Sequence, residues 1–154
     1  MRITRATPAQ ARRQARWIVT LQPWRGLGYQ ERALGRWLGR QAGLGLVRVA
    51  RQADTVVAII VTQPDVLLGH FVALLAVAPA AAGRGVGRAV IEDAATRAAR
   101  TRRWLYTSSD ADNRPAAAFY RKLGFSRVGR LPDLVRAGRT EILWRRAVRP
   151  RQGV

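Results

Sequence analysis

Hydrophobic positions along this chain follow two periods. Leu44 to Arg51 and Thr55 to Thr62 alternate or run apolar, rich in valine and isoleucine, and predict two strands. Gln52-Ala53-Asp54 between them suits a tight hairpin turn, and Gln63 to Gly69, containing Pro64, predicts a second turn. The apolar run Phe71 to Val77 completes an antiparallel meander, and further strands are predicted over Arg2 to Ala6, Trp104 to Ser108, Phe125 to Arg130 and Thr140 to Arg146. Elsewhere the helical period takes over. Thr7-Pro8, a capping side chain followed by a first-turn proline, starts a helix that runs to about Thr20. Leu34, Trp37 and Leu38 mark a second helix over Gln30 to Leu38. Val90, Ile91, Ala94 and Ala98 share one face of a third, with Arg88, Glu92, Thr96 and Arg100 opposite and Asp93 spaced to pair with Arg97. Ala116, Phe119, Tyr120 and Leu123 form the inward stripe of a fourth, which starts at Pro115 and stops at Gly124.

Taken in order, these elements predict a mixed α/β (α+β) fold: a central mixed, largely antiparallel sheet of about seven strands flanked by about four helices. A chain of 154 residues is long enough for a real core and suits one domain, assigned to residues 1–147, with a basic C-terminal tail over 148–154; the basic, proline-containing stretch Arg145 to Val154 is expected to fray. There is no cysteine, which excludes a disulfide framework and a thiolate metal site and fits a reducing compartment. No apolar run approaches a membrane span, and Met1 to Thr7 lack the apolar core of a signal peptide. The expectation is a cytoplasmic protein with no membrane partner and no metal.

Charge complicates that picture. The net charge is +19, and 27 of the 28 basic residues are arginine, Lys122 being the exception. Such a balance invites a nucleic-acid reading, yet the arginines are scattered from Arg2 to Arg151 with no block among them. Abundant alanine, glycine and arginine point to GC-rich coding, and the positive field favours capture of a polyanionic ligand. No nucleic-acid partner is expected.

Candidate chemistry begins where the strand ending at Val77 gives way to Pro79, which donates no ladder hydrogen bond. Gly83, Gly85 and Gly87 follow, interleaved with Arg84, Val86 and Arg88, and lead directly into a helical pattern. Glycines allow a sharp turn and close approach to a ligand, and a helix N-terminus offers unpaired N–H groups and partial positive charge. A P-loop would end in Gly-Lys-Ser/Thr, but Arg88-Ala89 follows Gly87. The dinucleotide fingerprint fails as well, with Val90 or Arg88 at its sixth position. What remains is a structural turn or an anion cradle.

A second stretch, Asn113-Arg114-Pro115-Ala116-Ala117-Ala118-Phe119-Tyr120-Arg121-Lys122-Leu123-Gly124-Phe125, adds to the first. In order and spacing the two together resemble the GNAT superfamily of acetyl-CoA-dependent N-acetyltransferases. The first resembles its pyrophosphate loop, Gln/Arg-x-x-Gly-x-Gly/Ala, with Ala82 where the family has Gln or Arg; the second resembles its Asn-x-x-Ala-x-x-Phe-Tyr-x-Lys-x-Gly-Phe helix and strand. The likeness spans about Phe71 to Trp144. It implies that acetyl-CoA is the cosubstrate, that the acceptor is a primary amine on a small molecule or peptide, and that attack is direct, within a ternary complex. It further implies that Leu75, Ala76 and Val77 pair with the pantetheine arm, that Gly83, Arg84, Gly85, Val86, Gly87 and Arg88 hold the pyrophosphate, that Asn113 hydrogen-bonds the cosubstrate, and that Tyr120 contacts it and protonates the leaving thiolate. In the family the first two helices and their connection shape the acceptor pocket, which makes Trp24 and Tyr29 candidate pocket walls. From the residues alone, Tyr120 also reads as a core residue, Asn113 as a helix cap, and Trp24 and Tyr29 as a packing plug.

A general base is not evident. Many family members carry a glutamate on the strand before the glycine loop or on the next one, but Phe71 to Val77 and Trp104 to Ser108 contain no carboxylate. His70, the lone histidine, reads as an edge residue, and Glu31, Asp133 and Glu141 cannot be placed from sequence. The expected arrangement is a water or no dedicated base. Other uses of the fold, a basic RNA- or ribosome-associated protein or a non-catalytic acyl-CoA sensor, stay open, as do the acyl length and the oligomeric state, a homodimer included.

Overall fold

The computed structural model describes residues 1–148. It contains one seven-stranded sheet, in the order β1-β2-β3-β4-β5-β7-β6. The strands are β1 (Arg2–Arg5), β2 (Val47–Gln52), β3 (Thr55–Val66), β4 (Gly69–Val77), β5 (Trp104–Asp110), β6 (Ser126–Pro132) and β7 (Thr140–Ala147). The helices are α1 (Pro8–Ile18), α2 (Glu31–Gly43), α3 (Val86–Ala98) and α4 (Arg114–Lys122). β4 and β5 pair parallel, whereas β1–β2, β2–β3, β5–β7 and β6–β7 pair antiparallel. This is the mixed, largely antiparallel sheet with four helices that the residue pattern predicts. The chain forms two compact units, Met1–Thr62 with Leu74–Asp93, and Gln63–Ala73 with Ala94 onward. No helix among the described residues is long and apolar enough to cross a membrane.

In the first unit, α1 opens with a reciprocal cap. Thr7 Oγ1 accepts from the Gln10 N–H at 3.2 Å, and Gln10 Oε1 accepts from the Thr7 N–H at 3.0 Å. α1 buries Ala11, Ala15 and Ile18, and α2 buries Leu34, Leu38 and Ala42. The Arg12 side chain of α1 lies close over Gly39 of α2, where a Cβ would oblige it to shift. α2 runs on to Gly43, past the predicted end at Leu38. Gly39, beyond that predicted end, lies within the helix beside the Arg12 side chain. The β2–β3 turn falls at Ala53, with φ +50°, where the sequence predicts it. Asp93 on α3 receives Arg48 Nε at 3.1 Å, an ion pair from β2 that helical spacing does not reveal.

The second unit corrects the predicted turn over Gln63 to Gly69. β3 continues through Val66 and β4 begins at Gly69, leaving only Leu67-Leu68 as the turn, with φ +47° and +60°. Such left-handed pairs usually carry Asn or Gly, so two leucines give no signal, and Pro64 reads as a breaker although it sits within β3. The Tyr106 hydroxyl donates to the Leu67 carbonyl at 3.1 Å, and Arg102 pairs with Asp65. β4 then runs against β5 in the register Gly69–Trp104 through Val72–Thr107. A Cβ on Gly69 would lie 2.6 Å from the Trp104 carbonyl and 2.8 Å from the Tyr106 ring, so only glycine fits. Gly69→Ala is expected to lower stability by about 1–3 kcal/mol through overpacking, read as a lower denaturant midpoint; an unchanged midpoint would mean the strands part without cost. β7 extends through Ala147, and the Val148 N–H donates to the Arg103 carbonyl at 2.8 Å, so the chain stays engaged past Arg145. The rest of the expected tail, 149–154, lies outside the described residues.

Candidate active site

The first unit carries the glycine loop. β4 ends at Val77, and the Ala78 N–H donates to the Val57 carbonyl at 2.8 Å. Ala76 is buried, while Leu75 and Val77 are half-buried. A 3₁₀ turn over Pro79–Ala81 follows, then Ala82 in extended conformation where the family motif has Gln or Arg. Gly83 and Gly85 have φ +73° and +79°, a region L-residues avoid. A Cβ at either would meet nothing within 4 Å. Backbone conformation, not packing, therefore calls for glycine here. The Ala89 N–H donates to the Gly85 carbonyl at 3.0 Å, closing the first turn of α3. The amides of Val86, Gly87 and Arg88 lie in that turn, which a helix leaves without intrahelical partners. The Val86 side chain is buried and anchors the turn, while Arg84 and Arg88 are exposed. No acidic residue stands in the first turn. N–H donors, helix dipole and two guanidinium groups make this a good fit for a pyrophosphate.

The α1–α2 connection, in the same unit, is a run of hydrogen-bonded turns. The Arg25 N–H donates to the Leu21 carbonyl at 2.8 Å and the Tyr29 N–H to the Trp24 carbonyl at 3.0 Å. This brings Trp24 and Tyr29 into one tight loop, with Trp24 half-buried and Tyr29 43% exposed.

The second unit holds Asn113 and Tyr120. Asn113 is the N-cap of α4, its Oδ1 accepting from the Ala116 N–H at 3.1 Å, and its capping reading is realised. Tyr120 is only 8% exposed. Phe119, Phe125 and Trp144 surround its ring, with centroids at 5.3, 5.5 and 6.3 Å. Burial pushes its phenol above the usual 10; a hydrogen bond with Thr107 pulls the other way, and the Glu141 charge adds to the rise. The core reading is therefore also realised, and burial keeps the phenol protonated at neutral pH. Thr107 Oγ1 itself donates to the Val72 carbonyl at 3.3 Å.

The four groups left open as bases separate clearly. His70 stands at the start of β4, opposite Leu105. Burial and the Arg97 charge lower its pKa, Asp65 raises it, and Arg102 lowers it further. Glu31 is the exposed first residue of α2. Asp133 builds its own loop, with φ +59° and Oδ1 accepting from the Gly138 N–H at 2.7 Å. Glu141 differs: it is half-buried on β7 and its Oε1 accepts from Ser108 Oγ at 3.1 Å. Sequence reasoning passed over Ser108 because a serine on a strand signals nothing. Its meeting with Glu141 depends on the β5–β7 register, which no local pattern encodes.

The family model of the acetyltransferase (GNAT) domain matches residues 43–127, more than half of the chain. The protein belongs to the GNAT acetyltransferase family and is an acyltransferase. No curated protein matches the chain. Solved structures with the same fold include an acetyltransferase of the GNAT family from Bacillus cereus, with TM-score 0.78 and 14% identity over 95% of this chain and 96% of that one. A ribosomal-protein-alanine N-acetyltransferase from Brucella melitensis gives 0.75 and 20% over 96% and 99%. An aminoglycoside 6'-N-acetyltransferase complexed with coenzyme A gives 0.80 and 15% over 98% and 99%. At these identities the likeness is one of fold.

Proposed function

We propose that this protein transfers the acetyl group of acetyl-CoA to a primary amine by direct attack in a ternary complex. One observation carries the reading: the exposed left-handed glycines that open α3 have no packing role and fit an anion. When bound there, acetyl-CoA supplies an activated acyl carbon and a good leaving group. The first-turn amides and Arg84 and Arg88 bind its pyrophosphate. Backbone groups of Leu75, Ala76 and Val77 hold the pantetheine arm, and an N–H of that strand end faces the thioester oxygen, where a donor counts most as charge develops. Tyr120 gives its proton to the departing sulfur, and Asn113 adds a hydrogen bond to the cosubstrate while capping α4. Trp24 and Tyr29 wall the acceptor side.

The acceptor is a small-molecule or peptide amine. Neighbours of this fold bear names for both kinds, a ribosomal-protein alanine and an aminoglycoside. The test is a screen of aminoglycosides, polyamines and alanine-ended peptides with acetyl-CoA, reading free thiol. Amine-dependent thiol release with matching N-acetyl product is expected. Release without acylated amine, or none with any acceptor, would overturn the reading.

A further inference from the structure

We propose that Glu141 accepts the proton of the attacking amine and that the Ser108 hydroxyl positions it, so that β7 supplies the carboxylate that β4 and β5 lack. This rests on the acetyl-transfer reading. In the β5–β7 register Asp110 lies opposite Glu141 and Ser108 opposite Leu143. With a side-chain period of two, Ser108, Asp110 and Glu141 share one face of this strand pair, and the Ser108–Glu141 hydrogen bond spans it diagonally. Thr107, Ser109 and Trp144 occupy the other face: Thr107 lies opposite Trp144, and Trp144 Nε1 donates to Ser109 Oγ at 2.9 Å. Tyr120 sits on that second face, against Trp144. Acid and base thus lie on opposite faces of the pair, so the incoming nitrogen and the departing sulfur of the one acyl carbon are served from different sides.

The two carboxylates on the first face are divided by their partners. Asp110 is held by Arg139, whose Nε and Nη2 lie 2.9 and 2.7 Å from its oxygens, and Arg139 also reaches Asp112 at 3.2 Å. The Arg139 hydrogen bond holds the Asp110 carboxyl below its usual range. Glu141 has a neutral hydroxyl as its partner, and its pKa moves the opposite way. Burial raises it most, the Ser108 hydrogen bond lowers it, Asp110 raises it and Arg139 lowers it. Environments that push two carboxylates apart mark the group suited to take a proton. In the step, the amine nitrogen first bonds to the acyl carbon, placing charge on the carbonyl oxygen, and the carbon–sulfur bond then breaks as that charge returns. The nitrogen's proton passes to Glu141, the Tyr120 proton passes to sulfur, and solvent returns both groups to their starting states.

The test compares wild type, Glu141→Gln and Ser108→Ala on glycinamide, on 1-propylamine and on the best acceptor from the amine screen. Glutamine keeps the acceptor for Ser108 and removes a charge that burial disfavours, so the variant should fold with no loss of melting temperature. Glu141→Gln is expected to lower kcat on the order of a hundredfold and to lose the rising limb of the pH profile, with the melting shift from acetyl-CoA intact. Ser108→Ala removes the contact that lowers the Glu141 pKa, so the limb should move to higher pH. Carbon-13 NMR of labelled glutamate gives a readout apart from turnover: a carboxyl missing from Glu141→Gln should titrate above 4.5, and higher still in Ser108→Ala. Wild-type activity with an unchanged limb in Glu141→Gln would overturn the base alone. Failure of wild type to bind acetyl-CoA or to acetylate any amine would overturn the transfer reading, and the base with it.

Discussion

Tyr120→Phe is expected to lower kcat on the order of a hundredfold while leaving acetyl-CoA binding nearly unchanged. Phenylalanine keeps the ring against Phe119, Phe125 and Trp144 and removes only the hydroxyl and its bond with Thr107. The pH profile gives a second check. Burial raises the folded pKa above the ordinary 10, so the proton stays on the phenol and is available until the pH climbs past that value. The falling limb of wild-type kcat should therefore lie above pH 10 and vanish in the variant. Linkage has the same sign: the folded state binds this proton more tightly, so the contribution to stability is complete below pH 10 and is lost as pH rises through the folded value. Full kcat in Tyr120→Phe, measured as thiol release with saturating acetyl-CoA, would return the residue to a purely structural role.

The fold was largely legible because its signals are local. Thr7-Pro8 caps α1, the apolar run over Thr55 to Thr62 marks an interior strand of the sheet, and Val90, Ile91, Ala94 and Ala98 form the buried stripe of α3. The departures arose where tertiary contact overrides local preference. α2 continues past Leu38 to Gly43 as it packs on α1, and Leu67-Leu68 turn with positive φ. The site divides the same way. The glycine loop and the Asn113 to Phe125 stretch are contiguous and could be read directly. Glu141 could not be placed, since its meeting with Ser108 spans two strands that are far apart in sequence.

Acetyl-CoA is expected to raise the melting temperature of the wild type, and Gly85→Val to abolish most of that rise. A ligand at a hundred times its Kd that binds only the native state adds about 2.7 kcal/mol, or roughly 5–10 °C for a chain of this size. Gly85 has φ +79° and open space around its α-carbon. A valine there strains the backbone and fills the approach to the first-turn amides. The strain alone lowers the unliganded melting temperature, so the quantity to compare is each variant's own shift with ligand. Paired Arg84→Gln and Arg88→Gln substitutions separate charge from backbone. They leave the glycines and N–H donors in place and should reduce the shift only in part, with a weaker dependence on salt. A shift in Gly85→Val equal to that of the wild type would remove the loop as the pyrophosphate site. A complete loss in the arginine pair, with the glycines intact, would move the main burden of binding from the backbone to the side chains.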